Sequence, residues 1–330
     1  MNKRLNKQPS TAGLRLGGDS IEVAAMTALL IGSIGLFSLL APGFLTATNF
    51  GSMSMQLPEL GLLSLAMLLP IISGGLNLSV TFTANIAGLM TAWLVQGLLA
   101  GMGILSVPMA IIAGLAVGAA AGFLIGVIVA YVGAHPILVS LGAMIFLQGV
   151  GEFLTRGGGI SGMPEVFQTI GSGSFLGIPI PMLIFLAAAA GLIYIMHFTR
   201  TGFSIYMLGS NSRATEYSGI NVKRVLITVY TISGILAGLA GMVMLARFNS
   251  VRVGHGESYL LITVLACFLA GANPFGGFGR VLPLVLGLMS LQVIASGMNL
   301  MGASQHLATA VWGAFLIIVM ALRMPFIKQS

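Results

Sequence analysis

Of 330 residues, 57% are hydrophobic and only 6% are charged, with a formal net charge of +7. A soluble domain carries about 25% charged residues to keep a hydrated skin, so this composition excludes a self-contained water-soluble protein and implies an outer surface of lipid. The basic residues gather at the amino terminus and in one central stretch rather than as a nucleic-acid footprint, and the single cysteine, Cys267, excludes an internal disulfide framework.

At about 20 apolar residues per spanning helix, the chain has room for about ten spans. A transmembrane barrel would need segments of about ten residues with strict alternation; the run 108–132 does not alternate. The 46 glycines also fit packed helices, because small residues let helices approach closely inside lipid.

In chain order, Lys3, Arg4, Lys7 and Arg15 precede a first apolar run, 21–41, closed by Pro42-Gly43. It is longer than the 7–15 apolar residues of a signal peptide, so it reads as a retained span. The second span is 54–72, ended by Ser73-Gly74-Gly75, followed by 78–99, 108–132 and 137–155. A polar, glycine-rich loop at 156–177 leads to the sixth span, 178–197, and then to the longest charged loop, 199–224. The last four spans are 225–246, 259–269, 281–297 and 306–322. The eighth is short and is followed by Gly271-Ala272-Asn273-Pro274-Phe275-Gly276-Gly277, the pattern of a broken or partly re-entrant helix.

An even count with the amino terminus inside places Lys3, Arg4, Lys7, Arg15, Arg200, Arg213, Lys223, Arg224, Arg280, Arg323 and Lys328 in the cytoplasm. Only Arg156, Arg247 and Arg252 fall outside. Positive charge concentrates on the cytoplasmic side of membrane proteins, so both termini are expected there. The expected fold class is thus an all-α integral membrane protein of about ten helices. It comprises a cytoplasmic tail at 1–20, one transmembrane domain at 21–323 and a cytoplasmic tail at 324–330. Ten spans divide into two halves with an odd number in each, which makes the halves opposite in orientation, an inverted repeat; no sequence repeat accompanies it.

The chemistry excluded is as informative. No lysine follows a phosphate-cradling glycine run, and four dispersed histidines with one cysteine offer no metal-ligand spacing. No nucleophile elbow appears, so no catalytic residue, metal ligand or cofactor is expected. Transport remains. An ion-coupled transporter carries ionisable groups within its spans, whereas here Glu59, near the outer end of the second span, and Glu152, near the end of the fifth, are the best exceptions. Energy is therefore expected from a partner protein.

The central loop offers that partner a place. Asn211 or Ser212 is suited to cap a short helix through Arg213, Ala214, Glu216, Tyr217 and Ser218, with Gly219 as its stop. The alternative is a solvated loop that only satisfies the charge bias. Gly74, Gly75, Asn77 and Ser79 interrupt the helical pattern between two spans, which reads either as a pathway-lining break or as a tight turn. Gln292, Asn299, Gln305 and His306 place amides and an imidazole near the outer ends of the last two spans, suited to sugar hydroxyls or to bonds between helices. Arg156, Glu165, Arg247, Arg252 and Glu257 form an outer rim, a docking surface or ordinary loop charges, and His135 before Pro136 reads as a turn residue.

From about residue 42 to 323 the sequence resembles the ribose-type permease subunits of bacterial ATP-binding-cassette importers. The resemblance is carried by Gly74-Gly75-Leu76-Asn77-Leu78-Ser79-Val80, Thr199-Arg200-Thr201-Gly202, Gly219-Ile220-Asn221-Val222-Lys223-Arg224, the run 230–241 and Gly297-Met298-Asn299-Leu300-Met301-Gly302. It implies a permease in the bacterial inner membrane that pairs with a second copy or paralogue. ATPase subunits dock on its cytoplasmic face, with the loop around Arg213–Gly219 as the coupling helix, and an extracytoplasmic solute-binding protein delivers a sugar-like cargo. The same architecture serves branched-chain amino acids, nucleosides or a signalling furanone; a stand-alone secondary transporter is the alternative of a different class. Asn77 stands where the family usually carries aspartate, which puts any role needing a carboxylate there in doubt, and Asn273-Pro274-Phe275 also departs from the family pattern.

Overall fold

The computed structural model describes residues 18–327; the parts of the expected tails at 1–17 and 328–330 lie outside them. Helices α1 (Gly18–Leu40), α2 (Ala47–Ile72), α3 (Val80–Gln96), α4 (Ser106–Val132) and α5 (Pro136–Thr155) form the first half. A short 3-10 helix, Ala100–Leu105, precedes α4. After strand β1 (Gly159–Ser161), helix α6 (Glu165–Ser172), and strands β2 (Ser174–Phe175) and β3 (Ile178–Pro179), the chain enters α7 (Ile180–Phe198). Then follow α8 (Arg200–Ser210), α9 (Ser212–Tyr217), α10 (Val222–Phe248), β4 (Ser250–Arg252), α11 (Tyr259–Leu269), α12 (Val281–Leu300) and α13 (Gln305–Ile327).

Among the described residues, seven helices are long and apolar enough to cross a membrane. Each of the ten apolar runs read from the sequence falls on a helix, but α3 has only 17 residues and α11 only 11. Helix α11 stops at Leu269 because Asn273 folds the following loop back on itself: its N–H donates to the Phe278 carbonyl (2.9 Å), and its side-chain oxygen accepts from the Phe275 N–H (3.0 Å).

Burial sorts the helices by neighbour. In the most apolar window of α2, 89% of residues are buried, against 11% in α5 and 17% in α1. Apolar side chains of α2 are met by protein on every side, while those of α1 and α5 face outward, as lipid contact requires. Helix α2 packs on α10, α7, α11 and α12, and α10 also packs on α3 and α4. The α4–α10 seam is built from small residues four apart: Gly114, Gly118, Gly122 and Gly126 meet α10 at Gly234, Gly238 and the Ile227–Tyr230 turn. A side chain at Gly118 or Gly122 would strike the α10 backbone, so glycine here sets how closely the two helices approach.

Strands β1 and β4 pair antiparallel with Ile160 opposite Val251, and β2 pairs β3 with Phe175 opposite Ile178. Asn249, left-handed at φ 51°, turns the chain out of α10 and accepts from the Met163 N–H at 2.7 Å, fastening the β1 segment over that helix end.

Candidate functional site

A cavity of ≈ 640 Å³ lies between α2, α11, α12 and α13. Its α2 wall carries Thr48, Asn49, Ser52, Gln56 and Leu60; its α12 wall carries Gln292, Ser296 and Asn299. Spacings of three and four residues align each set on one helix face. Two bonds join the walls: Gln292 Nε2–H donates to Gln56 Oε1 (3.3 Å), and Ser296 Oγ–H donates to Asn49 Oδ1 (2.6 Å). Asn49 Nδ2–H in turn donates to the Phe44 carbonyl at 2.9 Å, and Thr46 caps α2 through the Asn49 N–H. Ser258 and Tyr259 from α11, with Trp312 and Leu316 from α13, complete the lining. Among the described residues that line it, none carries a carboxylate, ammonium, guanidinium or imidazole. Such a surface offers donors and acceptors to hydroxyl groups and no counter-charge to an ion.

Beneath the cavity lies a charged pair. Glu59 is fully buried, and its Oε1 lies 2.6 Å from Arg247 Nη1, whose side chain is 22% exposed. Tyr259 OH faces the other oxygen, Oε2, at 3.5 Å, a weak polar contact longer than the roughly 3.0 Å upper end of O–H···O bonds. Arg247 stands in the last turn of α10, where a cation also suits the helix dipole. The sequence places Glu59 in the second span near its outer end and Arg247 on the outer rim, either a docking surface or ordinary loop charge; the fold turns Arg247 inward to meet Glu59. The other rim charges, Arg156, Glu165, Arg252 and Glu257, are exposed. Glu152 is exposed and accepts from Gln148 Nε2 at 3.1 Å. Beside the rim, partial burial and the neighbouring Arg252 guanidinium hold His255 below its ordinary 6.5.

Of the residues singled out in the sequence, Gln292 and Asn299 line the cavity; the side chains of Gln305 and His306 lie outside the described residues. Gly74, Gly75, Asn77 and Ser79 do not join them, because they sit at the opposite end of α2. There Asn77, 1% exposed, organises a polar knot. Its Nδ2–H donates to Ser233 Oγ (2.9 Å), its Oδ1 accepts from Ser79 N–H (3.2 Å) and Ser79 Oγ–H (2.7 Å), and Ser233 Oγ–H donates to the Ala66 carbonyl (2.7 Å). Gly75 leaves room for the Tyr230 hydroxyl and Pro136. The cavity residues missed in the sequence, Asn49, Ser52, Gln56, Tyr259 and Ser296, had a signal: polar groups recur every three or four positions along α2 and α12.

The central loop folds into two helices. Asn211, not Ser212, caps α9, its Oδ1 accepting from the Ala214 N–H at 3.0 Å. Ser218 ends the helix, and Gly219 follows at φ +80° with its N–H on the Glu216 carbonyl (3.0 Å). Ser212, Arg213, Ala214, Glu216, Tyr217, Ser218 and Gly219 are all exposed, and only Thr215 turns inward. Tyr217 is 90% exposed, an aromatic ring projecting from a short capped helix.

A family model described as branched-chain amino acid transport system / permease component matches residues 49–320. The chain is 31% identical over 305 residues to the autoinducer 2 import system permease protein of Salmonella typhi, spanning 91% of this chain and 90% of that protein. It is 34% identical over 294 residues to the ribose import permease protein of Escherichia coli, spanning 87% of this chain and 88% of that one. No solved structure matches the chain.

Proposed function

The chain belongs to the branched-chain amino acid transport system / permease component family, and from that premise we propose that its α2–α12 cavity is where a neutral, hydroxyl-rich solute crosses. The protein is a multi-pass membrane permease subunit of an ATP-binding-cassette importer of the sugar class. The observation that carries the reading of the cavity is its lining: two facing stripes of amides and hydroxyls, with no ionised group among the described lining residues. A zwitterionic amino acid would leave both of its charges unmatched there, at a cost that a sugar does not meet.

In this reading the ten helices α1–α5, α7 and α10–α13 cross the bacterial inner membrane with both termini in the cytoplasm. The distribution of Lys and Arg supports that orientation, and it puts the cavity in the outer half, facing a solute-binding protein that docks on the outer rim. The short α11 crosses together with its folded-back loop. Helix α9 is the handle for ATPase subunits, supported by its exposure and fixed cap, and the chain itself holds no nucleotide. A second permease copy or paralogue, which the resemblance implies, completes the channel.

The test is uptake in proteoliposomes holding the co-purified permease and ATPase, with binding protein outside and ATP inside. Uptake of a neutral pentose or hexose is expected only with ATP. Uptake by this chain alone under an ion gradient, without ATP, refutes the assignment.

A further inference from the structure

The turn that follows α11 lies at the end of α2 opposite the cavity, and it carries a large apolar side chain that the chain itself leaves uncovered. Phe275 is 76% exposed, although the backbone that bears it is fixed at every step. Asn273 closes the turn through the Phe278 carbonyl and the Phe275 N–H, and the Gly276 N–H returns to the Asn273 carbonyl at 3.0 Å. The base of the turn is seated on two other elements. The Gly277 N–H donates to the Ile72 carbonyl at the end of α2 (2.8 Å). Gly276 and Gly277 also lie against the backbone of Gly209 and Ser210, in the last turn of α8. Both glycines are left-handed, at φ 93° and 78°, which lets the turn settle this closely.

The place of the turn limits what can cover the ring. Helices α1 and α5 face outward, but α2 is surrounded by protein, so a turn seated on its end lies over the interior of the bundle and away from its lipid edge. Ser210 is followed by Asn211, the cap of α9, which puts Phe275 and the exposed Tyr217 at the same end of the bundle. An aromatic ring on a backbone already held in place costs little to order, the property of an anchor in a protein–protein contact. We propose that Phe275 is a second docking point for an ATPase subunit, its ring entering an apolar pocket of that subunit beside the cleft that takes α9. The inference rests on the reading of α9 as the ATPase handle. It adds a contact on the α11–α12 side of the chain, which stops a bound subunit from pivoting about a helix of only six residues.

The test uses the importer purified from the source cells through a tag on this chain, so that every partner is native. ATPase subunits are recognised by labelling with a radioactive azido-ATP. Phe275→Ala is expected to speed their loss from the immobilised complex about tenfold, the effect of removing one aromatic anchor. The melting temperature of the isolated permease should not change, because the ring packs on little of its own chain. Phe275→Leu keeps an apolar group and should retain most of the wild-type lifetime. A photoreactive benzoyl-phenylalanine at position 275 keeps an aromatic ring and should crosslink to the labelled ATPase subunit. Wild-type retention in Phe275→Ala, or a crosslink only to lipid or to a second permease copy, overturns the inference and leaves α9 as the handle. A wild-type permease that brings down no labelled subunit overturns the importer reading, and the inference with it.

Discussion

Hydrogen-bond direction decides what position 77 tolerates. The Asn77 amide donates to Ser233 Oγ, which leaves the Ser233 hydrogen free for the Ala66 carbonyl. Aspartate, the residue usual in the resembled family, offers no N–H there. Ser233 would then have to choose between the carboxylate and Ala66, and a charge would be enclosed with no cation among its hydrogen-bond partners. Asn77→Asp is therefore expected to destabilise the protein by about 1–3 kcal/mol, the cost of an unsatisfied buried polar group, read as a lower melting temperature in detergent. A Ser233→Asn substitution in the aspartate background supplies the missing donor and should recover part of the loss. If Asn77→Asp melts with the wild type, the knot carries no such constraint. The sequence marked Asn77 because glycines and a serine broke a helical run around it, which is local information. It did not mark Ser233, since a partner 156 positions away is joined only by the packing of α10 on α2.

At the scale of helices, apolar runs found the lipid-facing elements and misplaced those that face a cavity or water. Helix α2 begins at Ala47, seven positions before the expected span at 54. The omitted stretch holds Thr48, Asn49 and Ser52, the polar residues that line the cavity. A run-based reading starts too late because the polar residues that line the cavity interrupt the apolar run. Helix α8 lies within the expected loop 199–224; it buries Gly202, Ile205 and Leu208 and leaves Arg200, Phe203 and Ser210 exposed, too short an apolar stripe to read as a span. The glycine content pointed to close helix packing, and the α4–α10 seam is where that packing is tightest. At Gly118 a side chain would meet the Gly234 carbonyl and the Gly238 backbone, none of which can rotate away. Gly118→Val is expected to cost at least the roughly 1–3 kcal/mol typical of overpacking, reducing membrane-inserted protein and its melting temperature together. The same change at Gly142 of α5, which has nothing within 4 Å, should leave melting of the isolated permease unchanged. Equal losses at both sites would show that the seam is no tighter than the outer surface.

Across the whole molecule, the helix α9 proposed as the ATPase handle is joined to the proposed solute cavity through α8 and α2. Asn211 ends α8 and caps α9, so the two helices share a joint. Near that joint Gly209 lies against the Ile72 carbonyl, which also accepts the Gly277 N–H at 2.8 Å. Ile72 is the last residue of α2, whose other half walls the cavity. Tyr206 OH, also from α8, donates to the Gly279 carbonyl at 2.7 Å and binds the same loop a second time. Backbone packed on backbone has no side-chain play to absorb a displacement, so under the proposed function this junction is the expected route by which a push on α9 reaches α2. A methyl group at Gly209 would overlap the Ile72 carbonyl and the Gly277 N–H and part α8 from α2 while leaving the surface of α9 untouched. In the assembled importer, Gly209→Ala is therefore expected to keep the ATPase subunits bound and hydrolysing ATP while sugar uptake falls about tenfold or more. Tyr217→Ala, which alters only the exposed handle, should instead reduce ATPase co-purification. Should Gly209→Ala transport normally, or lose the ATPase subunits along with uptake, force would have to reach the cavity by a route other than the α8–α2 junction.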